Sequence, residues 1–503
     1  MTNKRDRSDD DLPEELTCPI TRTMFRDPVM VVESGHTYER SDVLSHFERN
    51  GAKDPYTNCA LRDTRVVTNW AVRKGVRVYL DSHPDVTPDG WDSRELLSPQ
   101  EVLPQNKFAK NKFATLQQLH ILRGLSPILR NRWSFNERPE DWSGVELENG
   151  QVVGLDLESI NLSSPQTTAF WAQLKSFPSL KRLNLNRNKL TSVPVEICQL
   201  TSLEQLHLVG NELTSLPAEI GQLTLLRKFD LGDNQLTSLP AEMGQLTALT
   251  GLYLQRNQLT SLPPEIGQLT SLEILWLFVN NLTSLPAEIG QLTSLRELRL
   301  AYNRLTTLPA EIGQLTSLEQ LYIHSNQLTS LPAEIGQLTS LRVLDLNDTQ
   351  LTSLPAEIGQ LTSLTVLDLA YNRLTTLPVE IWQLTSLQML DLSGNQLTSV
   401  PAEIGQLTSL EQLYIHSNQL TSLPTEIGQL SSLEWLSLSG NQLTTVPYEI
   451  GLITSLVRLD LTNNKLTSMP AEIWNKCADD CHLDVDDDVG LDDDPLTFNE
   501  RSP

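Results

Sequence analysis

A unit of 23 residues recurs from Leu180 to Asn464, in the form L-x-x-L-x-L-x-x-N-x-L-T-S-L-P-x-E-I-x-Q-L-T-S, and it leaves the chain few ways to fold. One such unit has a leucine face and nothing of its own to bury it against, so neighbours must stack and share a continuous core. The L-x-L stretch reads as a short strand with both leucines inward. The asparagine closes the turn after it, where its amide can satisfy buried backbone groups. The L-P-x-E-I-x-Q-L stretch is the return leg. Asparagine holds the register from Asn188 through Asn257 and Asn326 to Asn464, and Thr349 fills the one remaining slot of thirteen. Thirteen strands at about 4.8 Å spacing give an inner arc of roughly 60 Å, a surface for a macromolecule rather than a metabolite.

The unit is identified as a leucine-rich repeat, and that resemblance implies an α/β solenoid, a horseshoe with a concave parallel sheet. Trp142-Ser143-Gly144-Val145 and the run Gly150 to Leu157 resemble the capping entry of plant-type repeats, with a helix over Leu116 to Arg132 in the same cap. Secreted relatives carry a cysteine pair there, and this chain has none. Side chains flanking the strand leucines point out of the concave face and vary most between units. Units four to seven gather Tyr253, Ile274, Trp276, Phe278, Tyr302, Tyr322 and His324 beside Arg256 and Arg299, and Tyr414, His416 and Trp435 form a smaller group. Exposed aromatics with arginine are the makings of an interface hot spot, so Tyr253, Trp276, Phe278, Tyr302, Tyr322, His324 and Trp435 are the expected contacts to a protein substrate. Leu318 to Gln337 is identical to Leu410 to Gln429 except for Ala333 against Thr425, so inheritance by duplication is an open reading of some of them.

A different pattern occupies Leu12 to Pro84. Cys18-Pro19-Ile20-Thr21 is followed by Asp27-Pro28-Val29, by Ser34-Gly35-His36-Thr37-Tyr38-Glu39-Arg40, by a helix signal over Ser41 to Arg49, by a turn at Asn50-Gly51, by Asp54-Pro55-Tyr56-Thr57, and by a second helix opening at Asn69. This order resembles the U-box, a small α+β, zinc-free relative of the RING module. Two structural zinc sites need eight ligands, and residues 13 to 84 offer Cys18, Cys59, His36, His46 and His83 only. Packing and polar contacts must then hold the fold, with Asp27, Ser34, Thr37, Glu39, Arg40 and Asp42 as candidates. Ser41 or Asp42 is the expected cap of the first helix, Val43, Leu44 and Phe47 its apolar stripe, and Val72, Val76 and Tyr79 share a face of the second.

The resemblance implies a ubiquitin ligase that grips a ubiquitin-charged conjugating enzyme without any catalytic residue or cofactor of its own. Ile20 matches the apolar residue of the family's first contact loop and Pro55 the proline of the second. His46 stands where many members have tryptophan, and Asn58 where active members often carry an arginine. Asn58 can donate a hydrogen bond, but without charge and with shorter reach. The family also suggests a U-box-mediated homodimer, although no separate coiled coil accompanies the module.

The expected organisation is a disordered segment at 1–11, the U-box at 12–84, a linker at 85–112, a cap at 113–165, repeats at 166–475 and an acidic tail at 476–503, disordered after Cys481. The net charge of −25 comes from one glutamate per repeat and from the aspartates of Asp479 to Asp494, with no basic stripe to bind nucleic acid or an anionic membrane. The five scattered cysteines, the charged N-terminus and the short apolar runs point to the cytoplasm of a eukaryotic cell, or of a host cell for an effector or viral protein. Asp484, Asp486 and Asp488 lack the glycine and glutamate offsets of a calcium loop. Cys477, Cys481 and His482 are an incomplete metal set, and neither Cys18 nor Cys59 has the His and Asp of a thioester-forming enzyme. No metal or cofactor is expected. The alternative from another class is a non-enzymatic leucine-rich repeat scaffold or recognition protein with a degenerate U-box.

Overall fold

The computed structural model describes residues 17–19, 28–31, 34–61, 66–69, 72, 76, 107–134, 141–162, 168–479, 481–487 and 489–491. The chain divides into two units, Met1–Asn211 and Glu212–Pro503.

The first unit opens with a three-stranded antiparallel sheet of β1 (Pro28–Val31), β2 (Thr37–Glu39) and β3 (Val66–Thr68), in the order β2-β1-β3. The hairpin register sets Val29 opposite Tyr38. Helix α1 (Arg40–Asn50) follows β2 directly. Cys18, Val29, Val31, Tyr38, Val43 and Val76 form the core, with Phe47, Leu61, Val66 and Val72 packed on it. Leu44 departs from the expected stripe, being 43% exposed while Val43 and Phe47 turn inward. The cap of α1 departs too: Glu39 takes the N-cap position with no side-chain hydrogen bond capping the helix, and Asp42 instead lies 3.6 Å from the Cys18 thiol. Asp27 and Tyr79 lie outside the described residues.

Two helices, α2 (Lys107–Gly124) and α3 (Pro127–Arg132), stand where one was expected. The break follows from Ser126, whose hydroxyl caps Leu129 N at 3.3 Å, and from Pro127 in the first turn of the next helix. Trp133 stacks on Trp142 at 5.0 Å, and their indole N–H groups donate to the Ser143 and Ser134 carbonyls. Gly144 has φ +82, and a Cβ there would come within 2.8 Å of Asp156 Cβ, so the turn into β4 (Val145–Glu148) requires glycine. Strands β5 (Gln151–Asp156), β6 (Arg182–Asn184) and β7 (Gln205–His207) continue that ladder, antiparallel at β4–β5 and parallel afterwards.

Among its described residues the second unit holds twelve parallel three-residue strands, from Lys228–Asp230 through Ile274–Trp276 to Arg458–Asp460 and His482–Asp484. The strand leucines and the isoleucines of the return legs are buried. The return legs from Ala218–Gln222 to Tyr448–Leu452 are short 3-10 turns entered from proline, such as Ala310–Gln314 after Pro309. Glycine in that turn lets adjacent units close: a Cβ on Gly313 would lie 2.5 Å from the Glu334 carbonyl. Trp382 occupies the same slot in its own unit and is buried.

The asparagines act as the repeat predicts. Asn257 Nδ2 donates to Leu254 O of its own unit at 3.1 Å and to Leu231 O of the preceding one at 3.0 Å, while its Oδ1 accepts from Leu236 N at 2.9 Å. Thr349 bonds to Leu346 O at 3.1 Å and to Asn372 Oδ1 at 2.5 Å.

The end of the array corrects the expectation of disorder after Cys481. Helix α4 (Ala471–Asp479) covers the last repeat, His482–Asp484 pairs in parallel with Arg458–Asp460, and Gly490–Leu491 pairs with Ser468–Met469. The Asp486 carboxylate accepts from Asn463 N at 2.9 Å and Asn464 N at 3.3 Å, as the next asparagine would.

Candidate functional site

The loop after α1 is built around one buried carboxylate. Asp54 Oδ1 accepts from the Tyr56 and Thr57 amides at 3.1 and 2.9 Å and from Thr57 Oγ1 at 3.1 Å. This is an Asx turn, with Pro55 fixing φ at its second position. The same oxygen receives the Tyr38 hydroxyl at 2.8 Å, and Oδ2 lies 3.2 Å from His36 Nδ1. Burial works to raise the Asp54 pKa, but the hydrogen bonds and charge of His36, aided by Ser34 and Thr57, outweigh it and hold the carboxyl well below the usual range. Burial and the Asp54 charge together push the Tyr38 hydroxyl up.

On this frame Pro55 is half-buried and Asn58 is exposed. Asn58 N bonds Asp54 O at 2.8 Å, and its φ of +58 lies in the left-handed region that asparagine tolerates well. His46 sits on α1, half-buried, with Nδ1 3.1 Å from Asn50 Nδ2. Leu44 and Tyr56, 43% and 45% exposed, add apolar surface that sequence reasoning missed. Ile20 lies outside the described residues. Among the described residues no group of three or more His, Cys, Asp or Glu could hold a metal ion.

On the sheet face of the second unit, Trp276 is a hub. It meets Tyr253 edge-on at 4.9 Å and Phe278 at 6.0 Å, and its Nε1 donates to Glu297 Oε1 at 2.9 Å. The Arg299 guanidinium lies 4.7 Å from the Trp276 ring centroid and 4.9 Å from that of Tyr322, and it also pairs with Glu297. Arg256, expected in the same cluster, pairs with Asp233 at 3.9 Å. Tyr302, 57% exposed, meets His324 at 5.2 Å, and His324 Nδ1 lies 2.7 Å from Asp345 Oδ2. That contact with Asp345 raises the His324 pKa against the opposing effect of burial. Trp435 contacts Tyr414 at 5.5 Å, with Arg458 over its ring at 5.0 Å.

Between these groups the strands place Asp345, Asp368 and Asp391 side by side in register. Burial, with the charges of Asp391 and Asp345, raises the Asp368 pKa to about 6. The signal is present in the sequence as aspartate at one column of three successive units.

Among the described residues, the Asp54 loop and the aromatic face of the repeats are thus the two candidate sites. The leucine-rich repeat region model matches residues 156–302 and 333–420, with shorter leucine-rich repeat models at 293–334 and 408–466. A solved leucine-rich repeat protein of Leptospira interrogans is 42% identical with a TM-score of 0.61, the match covering 67% of this chain and 91% of that one. The chain belongs to the leucine-rich repeat family, and its residues 12–85 form a U-box domain. E3 ubiquitin-protein ligase CHIP of Arabidopsis thaliana is 40% identical over 73 residues, 14% of this chain and 26% of that protein. U-box domain-containing protein 18 of the same plant is 35% identical over 97 residues, 19% of this chain and 14% of that one. The chain thus spans about a quarter or less of the length of these curated relatives.

Proposed function

We propose that the protein is a U-box-type ubiquitin ligase. Its U-box grips a ubiquitin-charged conjugating enzyme through Ile20, His46, Pro55 and Asn58, and the sheet face of its repeats holds a protein substrate through Tyr253, Trp276, Phe278, Tyr302, Tyr322, His324 and Trp435. The observation that carries this reading is the U-box domain whose contact loop, bearing Pro55 and Asn58, is fixed by the buried Asp54. The thioester stays on the conjugating enzyme. The rate gain comes from orienting ubiquitin for attack and from raising the effective concentration of a substrate lysine. The proposed site of action is the cytoplasm of a eukaryotic or host cell, and pairing of two U-boxes is compatible with this chemistry.

His46 and Asn58 favour a second reading, a scaffold whose U-box docks without activating ubiquitin. Ubiquitination in vitro with a panel of conjugating enzymes separates the two. Wild type is expected to build chains, and folded Ile20→Ala and Pro55→Ala variants to lose about tenfold in rate, the equivalent of a lost contact worth ~1.4 kcal/mol. Silence of the wild type across the panel selects the scaffold.

A further inference from the structure

Lysine and arginine are not spread evenly over the repeats. No lysine stands between Lys228 and Lys465, although seven arginines do. The same slots of the repeat take lysine in the outer units. The slot after the register asparagine holds Lys189 and Lys465 near the two ends of the array but Arg304 and Arg373 within it, and all four side chains are exposed. The residue just before the strand is Lys181 ahead of β6, but Arg296 and Arg342 in inner units. The first strand residue is Lys228 in one unit and Arg458 in another.

Packing does not demand the exchange. Lys181 pairs with Glu148 at 2.9 Å, much as Arg296 pairs with Glu319, and Lys465 Nζ reaches Gln442 Oε1 at 3.2 Å. A guanidinium has a reason of its own at Arg299, which lies over Trp276 and Tyr322, and at Arg458 over Trp435. Arg304, Arg342 and Arg373 are exposed and make no ion pair among the described residues. Arg304 and Arg373 lie in identical stretches, Ala301–Pro309 and Ala370–Pro378, so copying accounts for one of the two but not for Arg296 or Arg342.

What separates the two side chains is nucleophilicity. A lysine keeps a small neutral fraction near pH 7, whereas a guanidinium is not deprotonated in proteins. The neutral amine attacks the carbonyl carbon of a ubiquitin thioester: the C–N amide bond forms, the C–S bond breaks, and the leaving sulfur takes the proton that the amine sheds. Threonine and serine hydroxyls, abundant on the repeats, are weak nucleophiles without an adjacent base. An amine on the array, tethered to the U-box by the same chain, would compete with the lysine of a bound substrate through its effective concentration.

We propose that the inner repeats are an acceptor-free platform: arginine supplies their positive charge, no primary amine of theirs competes, and ubiquitin passes to a lysine of the protein they hold. This rests on the ligase reading and adds to it what selects the acceptor.

The test uses the full chain as wild type, Arg304→Lys and Arg342→Lys, with ubiquitin, its activating enzyme, ATP and a panel of conjugating enzymes, and maps isopeptide-linked lysines by mass spectrometry. Lysine already occupies both slots elsewhere in the array, at Lys465 and Lys181, so both variants are expected to fold as wild type does. Each is expected to gain ubiquitin on the introduced amine, to at least about a tenth of the signal at the most modified native lysine, with discharge onto free lysine unchanged. Arg304→Gln, which takes the residue that Gln327 supplies in the next unit, gains none. A wild type that modifies itself or free lysine, while the introduced amines of both folded variants stay bare, overturns the proposal and leaves the ligase reading standing, because the inner repeats are then out of reach of the transfer. A wild type that modifies nothing with any conjugating enzyme overturns the ligase reading, and this proposal with it.

Discussion

The asparagine of each repeat carries more of the fold than its polarity suggests. Asn257 makes three hydrogen bonds to buried backbone groups of two units. Asn257→Ala strands two carbonyls and an amide, and the expected loss is about 3 kcal/mol, read from the urea midpoint. Thr349 has no amide N–H pair with which to bridge two carbonyls in this way. Thr349→Asn is therefore expected to stabilise the array by about 1 kcal/mol, and an unchanged or lower melting temperature contradicts that account. The leucine and asparagine roles were legible because they follow from a fixed period. Asp54 was not. In Asp54-Pro55-Tyr56-Thr57 it reads as a surface turn residue, and its burial depends on His36 and Tyr38, which only the folded sheet brings to it.

At the scale of the element, the in-register ladder creates both the aromatic hub and its acidic neighbour. Each strand sets its side chains beside their equivalents in the next unit, so Asp368 stands between Asp345 and Asp391. Its folded-state pKa of about 6 exceeds the ordinary 3.8, so the native chain holds that proton more tightly than the unfolded one. Stability from this group is consequently greatest below about pH 4 and is lost as pH rises towards 6. Asp368→Asn should stabilise the array by about 1 kcal/mol at pH 7.5, after allowance for solvent screening, and do nothing at pH 4. Thermal unfolding at the two pH values checks the sign. The closing strand behaves differently from its composition: a run of aspartates reads as solvated, but His482–Asp484 finds an open edge beside Arg458–Asp460. Removal of residues after Cys481 is expected to lower the melting temperature by roughly 5 °C, through loss of this pairing and of the Asp486 bonds. Leu44 shows the limit of periodicity, because a helix stripe does not say how far the core extends around it. Arg458 over Trp435 repeats the 23-residue spacing of Arg299 over Trp276, so the repeat period made it legible in the same way.

Taken as a whole molecule, the chain joins a U-box domain to a leucine-rich repeat array, and the ligase reading gives each half a separate task. In the proposed reading the U-box would accelerate transfer from a conjugating enzyme whether or not a substrate is present, and the repeats would confer specificity without touching the thioester. The measurement that tests this division most directly is single-turnover discharge of a ubiquitin-charged conjugating enzyme onto free lysine, with the full chain as wild type, Pro55→Ala and Trp276→Ala. The prediction is that wild type speeds discharge, that folded Pro55→Ala loses about tenfold of that acceleration, and that Trp276→Ala retains it. Discharge no faster with the wild-type protein than without it, using any conjugating enzyme of a broad panel, contradicts the account.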